Sequence, residues 1–420
     1  MTRWIISRRA LLLSGFLSLF AKFPAFAATP PVLKISKAIS NSTIQFTVSS
    51  ASAGVAYIEY GTKSGVYTAR GSSFSLGKQA LTSMTGLKSG TKYFFRLRYK
   101  TTGKSYLSTS PIAFTTAVSQ GSALWAIQAD PHMDENSSAE IYNKTLDLIA
   151  TSGSAFLIDL GDIFMVDKLA DKSEKNIRAR FELMKGYYAR LKGVPLKIVL
   201  GNHDGELGYS AFNTKKYRAE YFPDQTNELS YFAHSESNVL HIGLDPFTYT
   251  TSNPKADGWQ WTLGKVQYDW LVKTLQDSKE KHKFIYIHHL LVGDAQSRGG
   301  IHIASFNEWG GKNMDGSEGF DQMRPGWGKP IHQLLKDYGV SIVFKGHDHL
   351  YVKEELDGII YQTLPQPSHP GDATNSAVAY GYGAGKVVGG SGYLQLRANS
   401  ESVRVDFVKY DGSIPDSYSV

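Results

Sequence analysis

The chain has 420 residues, enough for two or three domains and a sizeable core. Its 42% hydrophobic and 12% aromatic content excludes a disordered chain, and the lack of cysteine excludes disulfides, thiolate metal ligands and a cysteine nucleophile. Of the formal charge of +7, four units (Arg3, Arg8, Arg9, Lys22) sit in the first 27 residues, and the remaining +3 gives no support to a nucleic-acid or other polyanionic partner.

Those first residues read as an export signal spanning 1–27. "MTRWIISRRA" is a basic head, "LLLSGFLSLFA" is too short an apolar run for stable anchoring in a bilayer, and "AFA" offers a small-x-small cleavage pattern. Arg8 and Arg9 ahead of the apolar run, with Lys22 behind it, resemble a twin-arginine signal. The expectation is passage through the twin-arginine translocase as a folded protein, and a periplasmic or secreted product with no stable membrane span.

Residues 28–118 carry short alternating runs, "VLKIS", "TIQFTVSS", "VAYIEYG", "ALTSMTGL", "TKYFFRLRYK" and "PIAFTT", set apart by Gly, Ser, Asn and Lys. This pattern predicts an all-β sandwich. In "GLKSGTKYFFRLR", Leu87, Gly90 and Tyr93 have the spacing of a tyrosine corner, whose phenol returns to upstream backbone. The segment resembles a fibronectin type III module, and "TTAVSQGS" (115–122) reads as the linker that closes it.

From 119 to 420 strands and helices alternate, which predicts βαβ units in an α/β domain, a sheet flanked by helices. The apolar runs are "ALWAIQAD", "AFLIDLGD", "LKIVLGNHD", "NVLHIGLD", "KFIYIHH" and "VSIVFKGHDH", with helical patterns at 138–150, 173–192, 264–279 and 329–338. Four more strands follow residue 350, "YVKEEL", "IIYQTL", "YLQLRA" and "VRVDFVKY", around a glycine-rich stretch at 381–391.

All but one of the six apolar runs end in side chains that ligate metals. They deliver Asp130 and His132, Asp162, Asn202 and His203, His288 and His289, then His347 and His349. Carboxyl ends of parallel strands face a common crevice, so these residues are expected to converge. Asp130-Pro-His132, Gly161-Asp162, Gly201-Asn202-His203-Asp204, His288-His289 and Gly346-His347-Asp348-His349 resemble, in order, the signature of the calcineurin-like metallophosphoesterases.

The resemblance implies that 119–420 is a β-sandwich flanked by helices and a phosphoric ester hydrolase with two metal ions, which the signal at 1–27 would make an exported enzyme. One ion would be held by Asp130, His132, Asp162 and His349, the other by Asp162, Asn202, His288 and His347, with Asp162 shared. Oxygen and nitrogen ligands without sulfur suit Fe, Mn or Zn. Such a pair binds a phosphoryl group, acidifies the attacking water and stabilises the entering and leaving oxygens. His203 is implied as the acid or phosphoryl clamp, with Asp204 fixing its tautomer. His289 is open between substrate contact and packing.

A fibronectin-like module before this domain resembles the purple acid phosphatases, which place a tyrosine three residues after the Gly-Asp aspartate. Met165 stands there instead, so the tyrosine ligand is missing and His132 takes its place. Leu290 and Leu291 follow His288-His289 where relatives often carry proline. The stretch 293–328, rich in glycine and tryptophan, reads as a wall over the metals, with Arg298 and Arg324 as phosphate contacts. His302, His332 and His369 have no motif around them. The substrate implied is a small phosphate ester. Two other readings are a phosphodiesterase acting on nucleotides or phospholipid headgroups, and a binding or adhesion protein whose second domain is inert.

Overall fold

The computed structural model describes residues 29–38, 43–88, 91–101, 103, 105–116, 123–133, 136–165, 168–205, 217, 220–222, 231–247, 257–292, 298–399 and 401–420. The expected export segment, Gly90 of the tyrosine corner and most of the linker lie outside these residues.

The first nine strands are β1 (Val32–Ala38), β2 (Ile44–Ser49), β3 (Gly54–Gly61), β4 (Ala69–Arg70), β5 (Phe74–Leu76), β6 (Ala80–Met84), β7 (Lys92–Lys100), β8 (Leu107–Ser108) and β9 (Ile112–Thr115). They pair only among themselves, as β1-β2-β6 and β4-β3-β7-β8, with β5 on β3 and β9 on β7. Alternate side chains of β2 and β7 point inward, so Ile44, Phe46 and Val48 meet Phe95 and Leu97 in one core. Leu87 is buried, and the Tyr93 hydroxyl accepts the Lys88 backbone N–H at 2.9 Å, the return contact expected of a tyrosine corner.

The remaining strands form two sheets. One is β12 (Leu196–Ile198), β11 (Leu157–Asp159), β10 (Ala123–Gln128), β20 (Gly392–Ala398), β21 (Val403–Lys409) and β22 (Asp416–Ser419), in that spatial order. The other is β13 (Phe232–Glu236), β14 (Val239–Gly243), β15 (His282–Ile287), β16 (Ile342–Lys345), β18 (Ile359–Thr363), β17 (Tyr351–Leu356) and β19 (Lys386–Val388). Strands β10, β11 and β12 run parallel, as do β14, β15, β16 and β18. Between the sheets, Trp125, Ile127, Leu394 and Phe407 pack with Phe284, Tyr286 and Phe344 in one apolar core.

Helices cover both outer faces. On the first sheet lie α1 (Ala139–Thr151) and α2 (Glu174–Tyr188), which bury Tyr142, Leu146 and Ile149, and Ile177, Phe181 and Met184. These spacings of three and four residues put each set on one helical face. The Ser138 hydroxyl caps α1 by accepting the Ile141 N–H. On the second sheet, α3 (Gly264–Asp277) and α4 (Ile331–Asp337) bury Leu271 and Leu275, and Leu334 and Leu335. The result is a β-sandwich flanked by helices, with parallel strands in both sheets delivering their carboxyl ends to one edge.

Candidate metal centre

Each motif residue leaves its strand at the carboxyl end: Asp130 after β10, Asp162 after β11, Asn202 after β12, His288 after β15, and His347 and His349 after β16. The loops are stitched to one another. Asp130 N–H donates to the Gly161 carbonyl (2.9 Å), His132 N–H to that of Asp162 (3.2 Å), and Gly346 N–H to that of His288 (2.9 Å). Asp130, His132, Asp162, His347 and His349 have φ of 57°, 42°, 54°, 72° and 61°, the left-handed region that non-glycine residues avoid. Strain collected in this way marks a functional site. The glycines make the close approach possible: a Cβ on Gly201 would overlap the Asp162 carboxylate, and one on Gly346 would lie 2.5 Å from Asp130 Oδ2.

Two groups of ligand atoms result. Those of Asp130, His132 and His349, and those of Asp162, His288 and His347, each lie within 4.8 Å of one another. Asp162 stands between the groups, its Oδ2 3.1 Å from His288 Nε2 and 3.7 Å from His132 Nε2. Asn202 joins the second group, its side-chain oxygen 3.1 Å from His288 Nε2, 2.7 Å from His347 Nδ1 and 3.3 Å from Asp162 Oδ2. His288 Nδ1 lies 2.8 Å from the Leu160 carbonyl, a contact that puts a proton on Nδ1 and aims Nε2 at the centre.

The electrostatics call for cations. The Asn202 oxygen faces lone pairs, and Asp130 Oδ1 and both His132 nitrogens are buried without a hydrogen-bond partner. A reversed amide would relieve Asn202 alone, whereas cations among the lone pairs would relieve all of these atoms. Burial disfavours the Asp162 carboxylate, but His288, His203 and His132 outweigh it and hold its pKa well below the usual range. Burial pulls the His288 imidazole down, and Asp162 more than reverses this, lifting it to about 9. Burial, with Arg298 nearby, holds His347 well below the ordinary imidazole value, neutral and ready to ligate. The donor set therefore fits two metal ions.

The neighbours divide. His203 is half-buried, its backbone N–H donates to Asp162 Oδ1 (2.8 Å), and its ring lies edge-on to His132 at 5.5 Å. Asp204 is engaged by backbone amides. Its carboxylate accepts the N–H groups of Asp162 (2.6 Å), Gly201 (3.0 Å) and Ile163 (3.3 Å), which clamps two ligand loops together. Burial and the charge of Asp162 push it up to about 7.

His289 packs among aromatic rings beside the ligand His347. It is fully buried, edge-on to Trp261 at 4.4 Å and Phe247 at 5.4 Å, and burial lowers its pKa to about 3.

Arg298 and Arg324 also part ways. The Arg298 guanidinium donates to the His347 carbonyl and to Asp348 Oδ1, and it lines a cavity of about 410 Å³ that reaches His349. Arg324 was expected to meet phosphate, but its Nε donates to buried Glu308 (2.5 Å) and its Nη2 to the carbonyls of Trp259 and Trp261. With its donors spent on a buried partner, it braces the insertion. Within 298–328 that insertion contains short helices at Asn307–Gly310 and Phe320–Met323, and it packs against the second sheet's core through Ile303, Ala304 and Trp309.

Sequence reasoning missed Asp348 and Lys345. Both are buried; Asp348 Oδ2 accepts from Lys345 Nζ (2.8 Å), the Gly299 N–H (3.0 Å) and the Tyr382 hydroxyl. This hub ties the His347–His349 loop to the insertion. A charged residue inside a ligand motif was the available signal.

A model of the calcineurin-like phosphoesterase family matches residues 126–351, more than half of the chain. The protein belongs to the calcineurin-like phosphoesterases. It is a metal-dependent phosphoric ester hydrolase with a dinuclear centre. Among its relatives, tartrate-resistant acid phosphatase type 5 of human is 24% identical over 280 residues, covering 62% of this chain and 77% of the relative. The rabbit protein of that name is 23% identical over 269 residues, covering 60% and 75%.

Two solved structures share the fold of this phosphoesterase. The purple acid phosphatase PPD1 from yellow lupin (Lupinus luteus) seeds superposes with a TM-score of 0.51 at 15% identity, covering 93% of this chain and 74% of that one. The structure of PhoD gives 0.54 at 11% identity, covering 95% and 90%.

Proposed function

We propose that this phosphoesterase is an exported phosphatase that hydrolyses small phosphate monoesters. The observation that carries the reading is the convergence of two metal-ligating groups on half-buried His203 and on a polar cavity at His349. Asp130, His132, Asp162 and His349 would hold one ion, and Asp162, Asn202, His288 and His347 the other. When bound, the ions supply Lewis-acid polarisation of the phosphoryl group and acidification of the attacking water.

The protein's own groups do the rest. Arg298, anchored on Asp348, positions the ester at the cavity mouth. The attacking water oxygen forms the new P–O bond while the ester P–O bond breaks. His203 gives its proton to the leaving oxygen, so that an alcohol departs and not an alkoxide. Asp204 fixes the loop from which His203 projects.

The names of the mammalian relatives, acid phosphatases, favour monoesters over diesters. The sequence of residues 1–27 supports export through the twin-arginine translocase to the periplasm or beyond, with 28–118 as a separate fibronectin-like module and 119–420 as the catalytic domain. Among the described residues no helix is long and apolar enough to cross a membrane.

A chromogenic monoester and its diester, each assayed with and without chelator, test the reading. Chelator-sensitive hydrolysis favouring the monoester is expected. Preference for the diester would move the assignment to a phosphodiesterase. Failure of the fully loaded protein on both esters would leave the binding-protein reading. Mass analysis of exported protein should find an N-terminus at Ala28, and Arg8→Lys with Arg9→Lys should block its export.

A further inference from the structure

The cavity beside His349 has walls that say what kind of alcohol the ester carries. Of the twelve described residues that line it, only Gly371 and Ala373 lack a polar side chain. Arg298, His369, Asp372, Asn375, Ser376 and Tyr380 supply donors and acceptors from several directions. The Gly371 N–H donates to His369 Nδ1 (2.9 Å), so the neutral ring carries its proton on Nε2 and acts as a donor. A volume of about 410 Å³ lies in the ordinary range for small-molecule sites.

The segment that builds these walls is held in place. Ser391 Oγ donates to the His369 carbonyl, Gly390 N–H to that of Asp372 (3.1 Å) and Tyr380 N–H to that of Ser376 (2.9 Å). Ala373, with φ of 56°, turns the chain in a left-handed conformation just before the helical turn Thr374–Ser376. Such a turn at a non-glycine residue fits a functional wall more readily than a neutral connection.

We infer that this cavity receives the alcohol part of the substrate and selects a polyhydroxylated one, such as a sugar or a cyclitol. The inference rests on the phosphatase reading, since His349, a proposed ligand, places the phosphoryl end at the cavity mouth. An aryl or alkyl leaving group would bury these polar walls without partners, which is costly, whereas hydroxyl groups can both donate to and accept from them. Among the described lining residues Arg298 is the one Lys or Arg, and the ester's own phosphoryl group takes it, so a second phosphate finds no further cation there. Arg298 is answered by Asp348 at 3.3 Å, and Asp372 adds a carboxylate. Among the described lining residues Tyr380 is the one aromatic besides the histidines, and the Arg298 guanidinium 4.9 Å over its ring competes with a nucleobase for a stacking face.

The test compares glucose 6-phosphate and myo-inositol 1-phosphate with phenyl phosphate and adenosine 5′-monophosphate, using full-length metal-loaded protein. The expected result is that kcat/KM for at least one polyol ester, relative to phenyl phosphate, falls about tenfold or more in Asp372→Ala and in Asn375→Ala, the loss of roughly one hydrogen bond each. An unchanged ratio in both variants, or wild-type preference for adenosine 5′-monophosphate, would overturn the inference. Should the loaded protein hydrolyse none of the esters, the phosphatase reading fails by itself. Calorimetric binding of the same esters would then decide the cavity, a polyol preference lost in the variants sustaining it and no preference overturning it.

Discussion

Replacing His203 with alanine separates proton donation from metal binding, because the structure joins His203 to the centre in two distinct ways. Its backbone N–H donates to Asp162 Oδ1 at 2.8 Å, and alanine keeps that bond. Asn202 supplies the amide that faces His288 and His347, and it too is untouched. What alanine removes is the half-buried imidazole beside His132.

Metal content should therefore stay at the wild-type level while turnover falls by about 10²–10⁴-fold, the range for a lost proton donor. An alkyl phosphate, whose alkoxide needs a proton as it leaves, should lose most. A nitrophenyl phosphate, whose phenolate leaves readily, should lose least. The assay is the ratio of kcat/KM between wild type and variant for each ester at equal metal occupancy. Equal ratios would refute the acid role, and loss of metal together with activity would show that His203 holds the centre together.

Asp162→Asn should lower both metals at once, measured by elemental analysis, because one carboxylate stands between the two ligand groups. Arg324→Met should cost about 3–5 kcal/mol in denaturant unfolding by stranding the buried Glu308 carboxylate, yet leave KM for phosphate esters unmoved at temperatures where the variant is folded. Tyr93→Phe should destabilise the β1–β9 region of the full-length protein by about 1 kcal/mol, read as a lower midpoint in urea, since the Lys88 N–H loses its acceptor. Protein loaded with ferric iron should lack an intense visible charge-transfer band, because Met165 occupies the tyrosine position and His132 completes the first group.

The ligand positions were legible in the sequence because two signals coincide there. Continuous apolar runs identify buried parallel strands, and each of five ends in a side chain with a lone pair to offer. The tyrosine corner was legible for a similar reason, a fixed spacing with a fixed bonding consequence.

What the sequence could not show depends on partners distant in the chain. Arg324 and Arg298 look alike in sequence, and only the fold shows that one faces buried Glu308 while the other borders the cavity. His289 could be placed only once Trp261 and Phe247 were seen around it. Asp204 reads naturally as a histidine partner, but three backbone amides from two loops claim it, and backbone leaves no trace in residue identity. The short strands β4, β5, β8, β19 and β22 carry too few residues for an alternating pattern to register. The cavity wall at 369–380 mixes polar side chains with proline, glycine and alanine, which in sequence looks like any surface loop.

The central claim is that one chain holds two metal ions and needs them to cleave phosphate esters. Elemental analysis of the purified protein, joined to a chelation and reconstitution titration of monoester hydrolysis, decides this. Two ions per chain are expected, with activity lost on their removal and restored as the second equivalent binds. A plateau at one ion per chain after reconstitution, or full activity in the stripped protein, would contradict it.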